Sequence, residues 1–186
     1  SVLKVSLTSD IQLSRLNSTS YFSEMQFYFS VKTLQSARFN QLLNQYLGTQ
    51  SDIDFSSFEG HLKGAIDLVF EANEQFYILD YKSNYLGDHA SDYQADALAV
   101  AMEEHRYDIQ YVIYTLALHR FLTQRKKDAY QYQRDFGGVL YVFLRGLNIE
   151  QSSLPNTAEK DTPTGVYFAK PPAEFILALD EEVGRL

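Results

Sequence analysis

Gly64-Ala65-Ile66-Asp67 and, after a short gap, Ile78-Leu79-Asp80-Tyr81-Lys82-Ser83-Asn84 decide how this chain folds and what chemistry it can carry. Leu62 to Glu71 and Gln75 to Lys82 are rich in Ile, Leu, Val, Phe and Tyr, the composition of strands. Between them lies a polar break, Glu71-Ala72-Asn73-Glu74-Gln75. A tight turn on Asn73-Glu74 makes the two runs an antiparallel hairpin, because Asn tolerates the turn backbone. That register sets Asp67 across from Asp80, with Cβ atoms roughly 4.5–5.5 Å apart. Side chains alternate along a strand, so Asp80 and Lys82 share a face while Tyr81 points away. A slip of one residue destroys the arrangement.

Two facing carboxylates repel unless a cation sits between them. Mg²⁺ is a hard ion that takes oxygen ligands and keeps several waters. Two carboxylates and a backbone carbonyl would leave it open to a phosphate oxygen and a water. The ion then polarises a phosphodiester and lowers the pKa of the water. Lys82 is placed to orient that water or to stabilise charge on the phosphorus. The plainer reading is two exposed aspartates and an ordinary Asp–Lys pair at a strand end. Against it, both aspartates interrupt apolar strands, where a solvated charge is less expected.

Gly-x-x-Asp followed by Leu79-Asp80-Tyr81-Lys82-Ser83-Asn84 resembles the PD-(D/E)xK nuclease superfamily. More narrowly, the chain is similar to the C-terminal nuclease domains of RecB, the beta subunit of the RecBCD helicase–nucleases (exodeoxyribonuclease V). The similarity runs from about Glu24 to Ile176. It also includes His105-Arg106-Tyr107-Asp108-Ile109-Gln110-Tyr111, Tyr114 to Arg120, and Phe136-Gly137-Gly138 through Gly146. The short Asp…Asp-x-Lys core is weakly specific; the ordered set is highly specific.

The resemblance implies an α/β fold, a restriction-endonuclease-like mixed β-sheet flanked by helices. It implies that Asp67 and Asp80 are metal-binding carboxylates, that the Tyr81 carbonyl is a backbone ligand for Mg²⁺, and that Lys82 is the catalytic lysine. Glu24 matches the upstream acidic residue, and Gln110 and Tyr114 match a Gln-x-x-x-Tyr element. The family has a further metal-ligand histidine well upstream. Only 23 residues precede Glu24, so that ligand is expected to lie outside this chain, with weakened metal affinity as the consequence.

The implied partners are single- and double-stranded DNA ends, a helicase domain in the same polypeptide, RecC-like and RecD-like subunits, and the recombinase RecA. A stand-alone resolvase or restriction-type enzyme is the rival among enzymes. The rival from another class is a non-catalytic scaffold that keeps the fold.

The 186 residues make one nuclease domain by size, and the opening at Ser1 suggests a C-terminal piece of a longer helicase–nuclease chain. Hydrophobic content of 45% fits a globular protein. No run is long and apolar enough to span a membrane. The absence of Cys fits the reducing cytoplasm and excludes disulfides and thiolate zinc sites. The net charge of −8 argues against a free-standing nucleic-acid binder. A module fed with DNA by a larger machine escapes that objection. The basic run His119-Arg120 through Arg125-Lys126-Lys127, with Arg134 beyond, reads as a solvated helix end or as a set of phosphate contacts.

Elsewhere, Ser23 to Val31 reads as a strand or as a mixed segment carrying Glu24. Thr33 to Leu47 has helical spacing with Gly48 as its C-cap. Ser91 and Gln94 resemble a capping box opening a helix through Met102. A second helix starts near Tyr107, with Gln110 and Tyr114 on one side of it. Gly138 to Leu144 is apolar enough for a central strand. Gln50 to Glu59 and Gln151 to Thr164 read as loops, and Phe175 to Leu179 as helical. His61, three residues before Gly64, reads as a structural or surface group.

Overall fold

The computed structural model describes residues 21–48, 52–54, 58–148 and 164–184. Strands β1 (Tyr21–Leu34), β2 (Phe58–Ala72), β3 (Gln75–Lys82), β4 (Phe136–Phe143) and β5 (Val166–Ala169) form one mixed sheet in that order. Only β3 and β4 run parallel. Helices α1 (Ser36–Leu47), α2 (Ala95–Glu104), α3 (Tyr107–Lys126), the single turn α4 (Tyr132–Asp135) and α5 (Ala173–Glu182) complete the domain. The expected α/β, restriction-endonuclease-like plan is present. The expected Gln151–Thr164 loop falls almost wholly outside the described residues.

The hairpin forms in the expected register, with Leu68↔Leu79, Val69↔Ile78, Phe70↔Tyr77, Glu71↔Phe76 and Ala72↔Gln75, but the pairing stops one rung short of the expected Asp67–Asp80 pair. Its turn is made by two residues of positive φ, Asn73 at 51° and Glu74 at 63°. That is the backbone a two-residue hairpin needs to match the strand twist. Gly48, at φ 67°, ends α1 as expected.

The sheet separates two apolar layers. Phe76, Ile78, Val139, Tyr141 and Phe143 face the larger core, shared with Leu42 and Leu43 of α1, Val112 and Leu116 of α3, and Phe175 and Ile176 of α5. Phe70, Tyr77, Leu79, Leu140 and Val142 face a smaller cluster on the other side. Every residue of β4 is buried, as its apolar sequence requires.

The simple alternation expected of β2 fails at one place. Glu59, His61, Lys63, Ala65 and Asp67 are exposed in turn. Ile66 and Val69, three residues apart, nevertheless both enter the larger core. The phase slips at Asp67-Leu68. β1 breaks at the matching rung: Ser23 pairs with Leu68 and Met25 with Ile66, while Glu24 between them has φ 52°. As at a bulge, such a break re-aims side chains. Beyond it, residues 58–67 of β2 pair with β1 alone, so the sheet forks at Asp67.

Two other expectations need correction. The capping box is not built from Ser91 and Gln94. The Asp92 carboxylate accepts the His89 N–H at 2.9 Å, and a 3₁₀ turn, Ala90–Tyr93, precedes α2. The basic run is not uniformly a solvated helix end. Arg120 is only 5% exposed, and its Nε donates to Asp180 Oδ1 at 2.5 Å. His119 is buried too, and that burial lowers its pKa.

Candidate active site

Asp80 and Lys82 lie at the end of β3 on the face that packs against α3, where period-2 alternation puts them. Both are buried, at 4% and 9% exposure. Lys82 Nζ approaches Asp80 Oδ2 at 2.7 Å. The ammonium is the partner that this buried oxygen has. Burial pushes the Asp80 pKa up, and the nearby Asp67 charge adds to the rise; Lys82 pulls the other way and does not cancel it.

The first turns of α3 hold the lysine. Lys82 Nζ donates to Gln110 Oε1 at 2.8 Å. Tyr141 of β4 donates its hydroxyl to the same oxygen at 3.0 Å. Gln110 Nε2 donates to the Tyr114 hydroxyl at 3.0 Å. Those bonds fix which way the Gln110 amide faces. The ammonium also sits 3.8 Å from the Tyr107 ring centroid and 5.0 Å from that of Tyr141. Aromatic faces stabilise a desolvated cation in this geometry. Burial, with the Asp80 charge second, raises the pKa of both Tyr114 and Tyr141, which keeps their hydroxyls protonated.

Asp67 stands at the fork in the sheet, exposed, and its Oδ2 accepts the Tyr81 N–H at 2.9 Å. In a strand a residue's N–H and C=O face the same neighbour. The Tyr81 carbonyl is therefore directed toward the side on which Asp67 lies. The Tyr81 side chain turns away, against the smaller apolar cluster. Glu24 is exposed on the β1 rung facing Asp67.

The structure thus brings Asp80, Lys82, Gln110 and Tyr114 into one bonded cluster, with Asp67 joined through the Tyr81 amide. Glu24 neighbours the cluster without bonding to it. Among the described residues no three His, Cys, Asp or Glu side chains converge on one point. The donor set suits a hard divalent cation all the same, since the Asp80 carboxylate is buried with only the Lys82 ammonium against it and the Asp67 carboxylate and Tyr81 carbonyl lie beside it.

No sequence motif points to Tyr107 or Tyr141, yet both lie against Lys82. Tyr141 pairs with Asp80 across the parallel β3–β4 ladder, a partnership no local pattern announces. The glycine of Gly-x-x-Asp also finds its reason. A Cβ on Gly64 would lie 2.6 Å from Phe27 Cζ, and the Phe27 ring packs edge-on against Tyr114 at 5.8 Å.

A family model described as the PD-(D/E)XK nuclease superfamily matches residues 13–184. The chain belongs to that superfamily. Within this PD-(D/E)XK group it is similar to the RecBCD enzyme subunit RecB of Escherichia coli strain K12, 40% identical over 92% of this chain and 14% of that protein. RecB of Haemophilus influenzae is 41% identical over 91% of this chain and 13% of its own length. RecB of Mycobacterium tuberculosis H37Rv is 41% identical over 68% and 11%. The chain therefore spans a small part of the RecB relatives it matches. Among the described residues no helix is long and apolar enough to cross a membrane.

Proposed function

We propose that this chain is a single Mg²⁺-dependent DNA-cleaving domain, the nuclease module of a RecBCD-type helicase–nuclease that processes double-strand ends for recombinational repair. The observation that carries the reading is the buried Lys82 ammonium, caged by Gln110, Tyr107 and Tyr141 and held against Asp80. An ordinary surface Asp–Lys pair has no need of such a cage.

Asp67, Asp80 and the Tyr81 carbonyl would hold the Mg²⁺, which when bound supplies polarisation of the phosphodiester and a more acidic water. Lys82 donates to the phosphate and stabilises the negative charge that develops on it. Gln110 and Tyr114 keep the lysine aimed, and Tyr107 and Tyr141 exclude water around it. Glu24 adds negative charge beside Asp67. With few protein ligands, Mg²⁺ should bind weakly to the free protein and more tightly once a substrate phosphate joins the donor set.

A chain of net charge −8 should hold DNA weakly by itself at physiological salt. Delivery by a helicase domain of the same polypeptide and by RecC-like and RecD-like subunits resolves this, in keeping with the names of the relatives. RecA is the proposed recipient of the processed strand, and the setting is cytoplasmic.

Incubation with linear single- and double-stranded DNA, with Mg²⁺ or with EDTA, tests the proposal. Cleavage should require the metal and vanish in Asp80→Asn. A folded wild-type protein that cuts neither substrate with Mg²⁺ or Mn²⁺ would leave the non-catalytic scaffold as the better account.

A further inference from the structure

Past the fork, the β1–β2 ribbon turns one face to the larger core and the other to solvent. On the solvent face, Tyr28 is 67% exposed, the most exposed large hydrophobic side chain among the described residues. Its ring stacks on His61, with centroids 4.7 Å apart and planes 15° from parallel. Lys63 is the rung partner of Tyr28, and Gln26 that of Ala65. Tyr28, Lys63, Gln26 and Ala65 border a shallow depression of about 500 Å³.

The exposed row His61, Lys63, Ala65 on β2 ends at Asp67. Four residues of strand, at about 3.4 Å each, put Lys63 and Tyr28 about 14 Å from the Asp67 rung. That is a few nucleotides of a single strand, since B-form DNA carries one phosphate per about 3.4 Å along each strand and an unstacked strand spans more.

Cross-strand stacking on His61 supports the Tyr28 ring from one side only, and the ring does not enter the core, so most of it stays open to solvent. An aromatic face, a neighbouring ammonium and an open depression in line with a carboxylate rung are what an unpaired nucleotide needs: a plane to stack on and a cation for its phosphate.

We propose that Tyr28, backed by His61 and flanked by Lys63, is a stacking subsite for an unpaired nucleobase of the strand entering the active site. The inference rests on the nuclease function proposed above and adds where the strand is held. Stacking on Tyr28 tolerates any base, because every base has a π-face. Lys63 meets the adjacent phosphate. The occupant is a single strand rather than a duplex, whose bases stack on one another and offer no free face.

The test is binding of fluorescently labelled oligodeoxythymidylate in EDTA and low salt, followed by anisotropy. Tyr28→Ala should weaken binding about tenfold. Tyr28→Phe, which keeps the ring, should retain the affinity. Lys63→Gln should weaken binding and flatten its salt dependence. An abasic oligonucleotide should not distinguish Tyr28→Ala from wild type. Equal binding of oligodeoxythymidylate by Tyr28→Ala and wild type would overturn the proposal. So would a loss in Tyr28→Ala that is just as large for the abasic chain, or no measurable binding by wild type. Because EDTA removes chemistry from the readout, these outcomes are separate from failure of metal-dependent cleavage by the wild-type protein.

Discussion

Lys82 on β3 and Gln110 on α3, 28 residues apart in sequence, meet through a 2.8 Å bond from Nζ to Oε1. The bond ties the end of β3 to the first turns of α3. The lysine is thereby aimed by a helix rather than left to its own four rotatable bonds.

Lys82→Gln removes the charge and keeps much of the length. Cleavage should fall on the order of 10²-fold or more, matching about 2.7 kcal/mol of lost transition-state stabilisation. Mg²⁺ binding, followed by titration calorimetry, should survive because a neighbouring cation has gone. Loss of Mg²⁺ binding, or near wild-type cleavage, would contradict the assignment. Gln110→Ala should give a smaller fall, in kcat more than in KM.

Asp80→Asn should abolish cleavage and Mg²⁺ binding together while the metal-free variant stays folded, and its stability should depend less on pH than that of wild type. Burial raises the Asp80 pKa despite Lys82. The folded state therefore holds the Asp80 proton more tightly than the unfolded chain does. This group's contribution is fully present below the ordinary carboxylate pKa and is lost as pH rises through the elevated value. The metal-free wild type should lose stability across that interval, and the Asn variant should lack this component. Thermal melts against pH in EDTA check it; a variant with the same pH dependence as wild type that still cuts DNA would refute the assignment.

Gly64→Ala places a methyl group 2.6 Å from Phe27 Cζ. Phe27 must move, and with it the edge-on contact to Tyr114. The expected destabilisation is about 1–3 kcal/mol, as for other overpacked sites, with a drop in kcat because Tyr114 supports Gln110. Urea denaturation together with a cleavage assay measures both; unchanged stability would show that the ring yields freely.

Asp180→Ala strips the carboxylate from the buried Arg120 and leaves the guanidinium the carbonyls of Asp180 and Gly184. Breaking such a pair from one side costs about 3–5 kcal/mol. Urea midpoints should shift accordingly, while kcat of the remaining folded protein stays near wild type. A shift below about 0.5 kcal/mol would mean that solvent reaches the guanidinium after all.

Much of the site is legible in short stretches of the chain. Period-2 runs and the Asn73-Glu74 turn specified the hairpin and its register, and Asp80 and Lys82 had to share a face. Helical spacing placed Gln110 and Tyr114 one turn apart, and Gly48 marked the end of α1. All of these depend on neighbours within a few residues, where propensity and alternation act. Long-range packing set the remaining relationships. Parallel pairing of β4 with β3 set Tyr141 opposite Asp80, and docking of α3 brought Gln110 and Tyr107 over Lys82. The slip at Asp67, matched by the strained Glu24, opened the sheet at the site. Arg120, which reads as part of a solvated basic run, is buried because α5 returns Asp180 to it from 60 residues away. Each of these relationships joins segments far apart in the chain, so each is set by how the whole core packs and not by any stretch of residues taken alone.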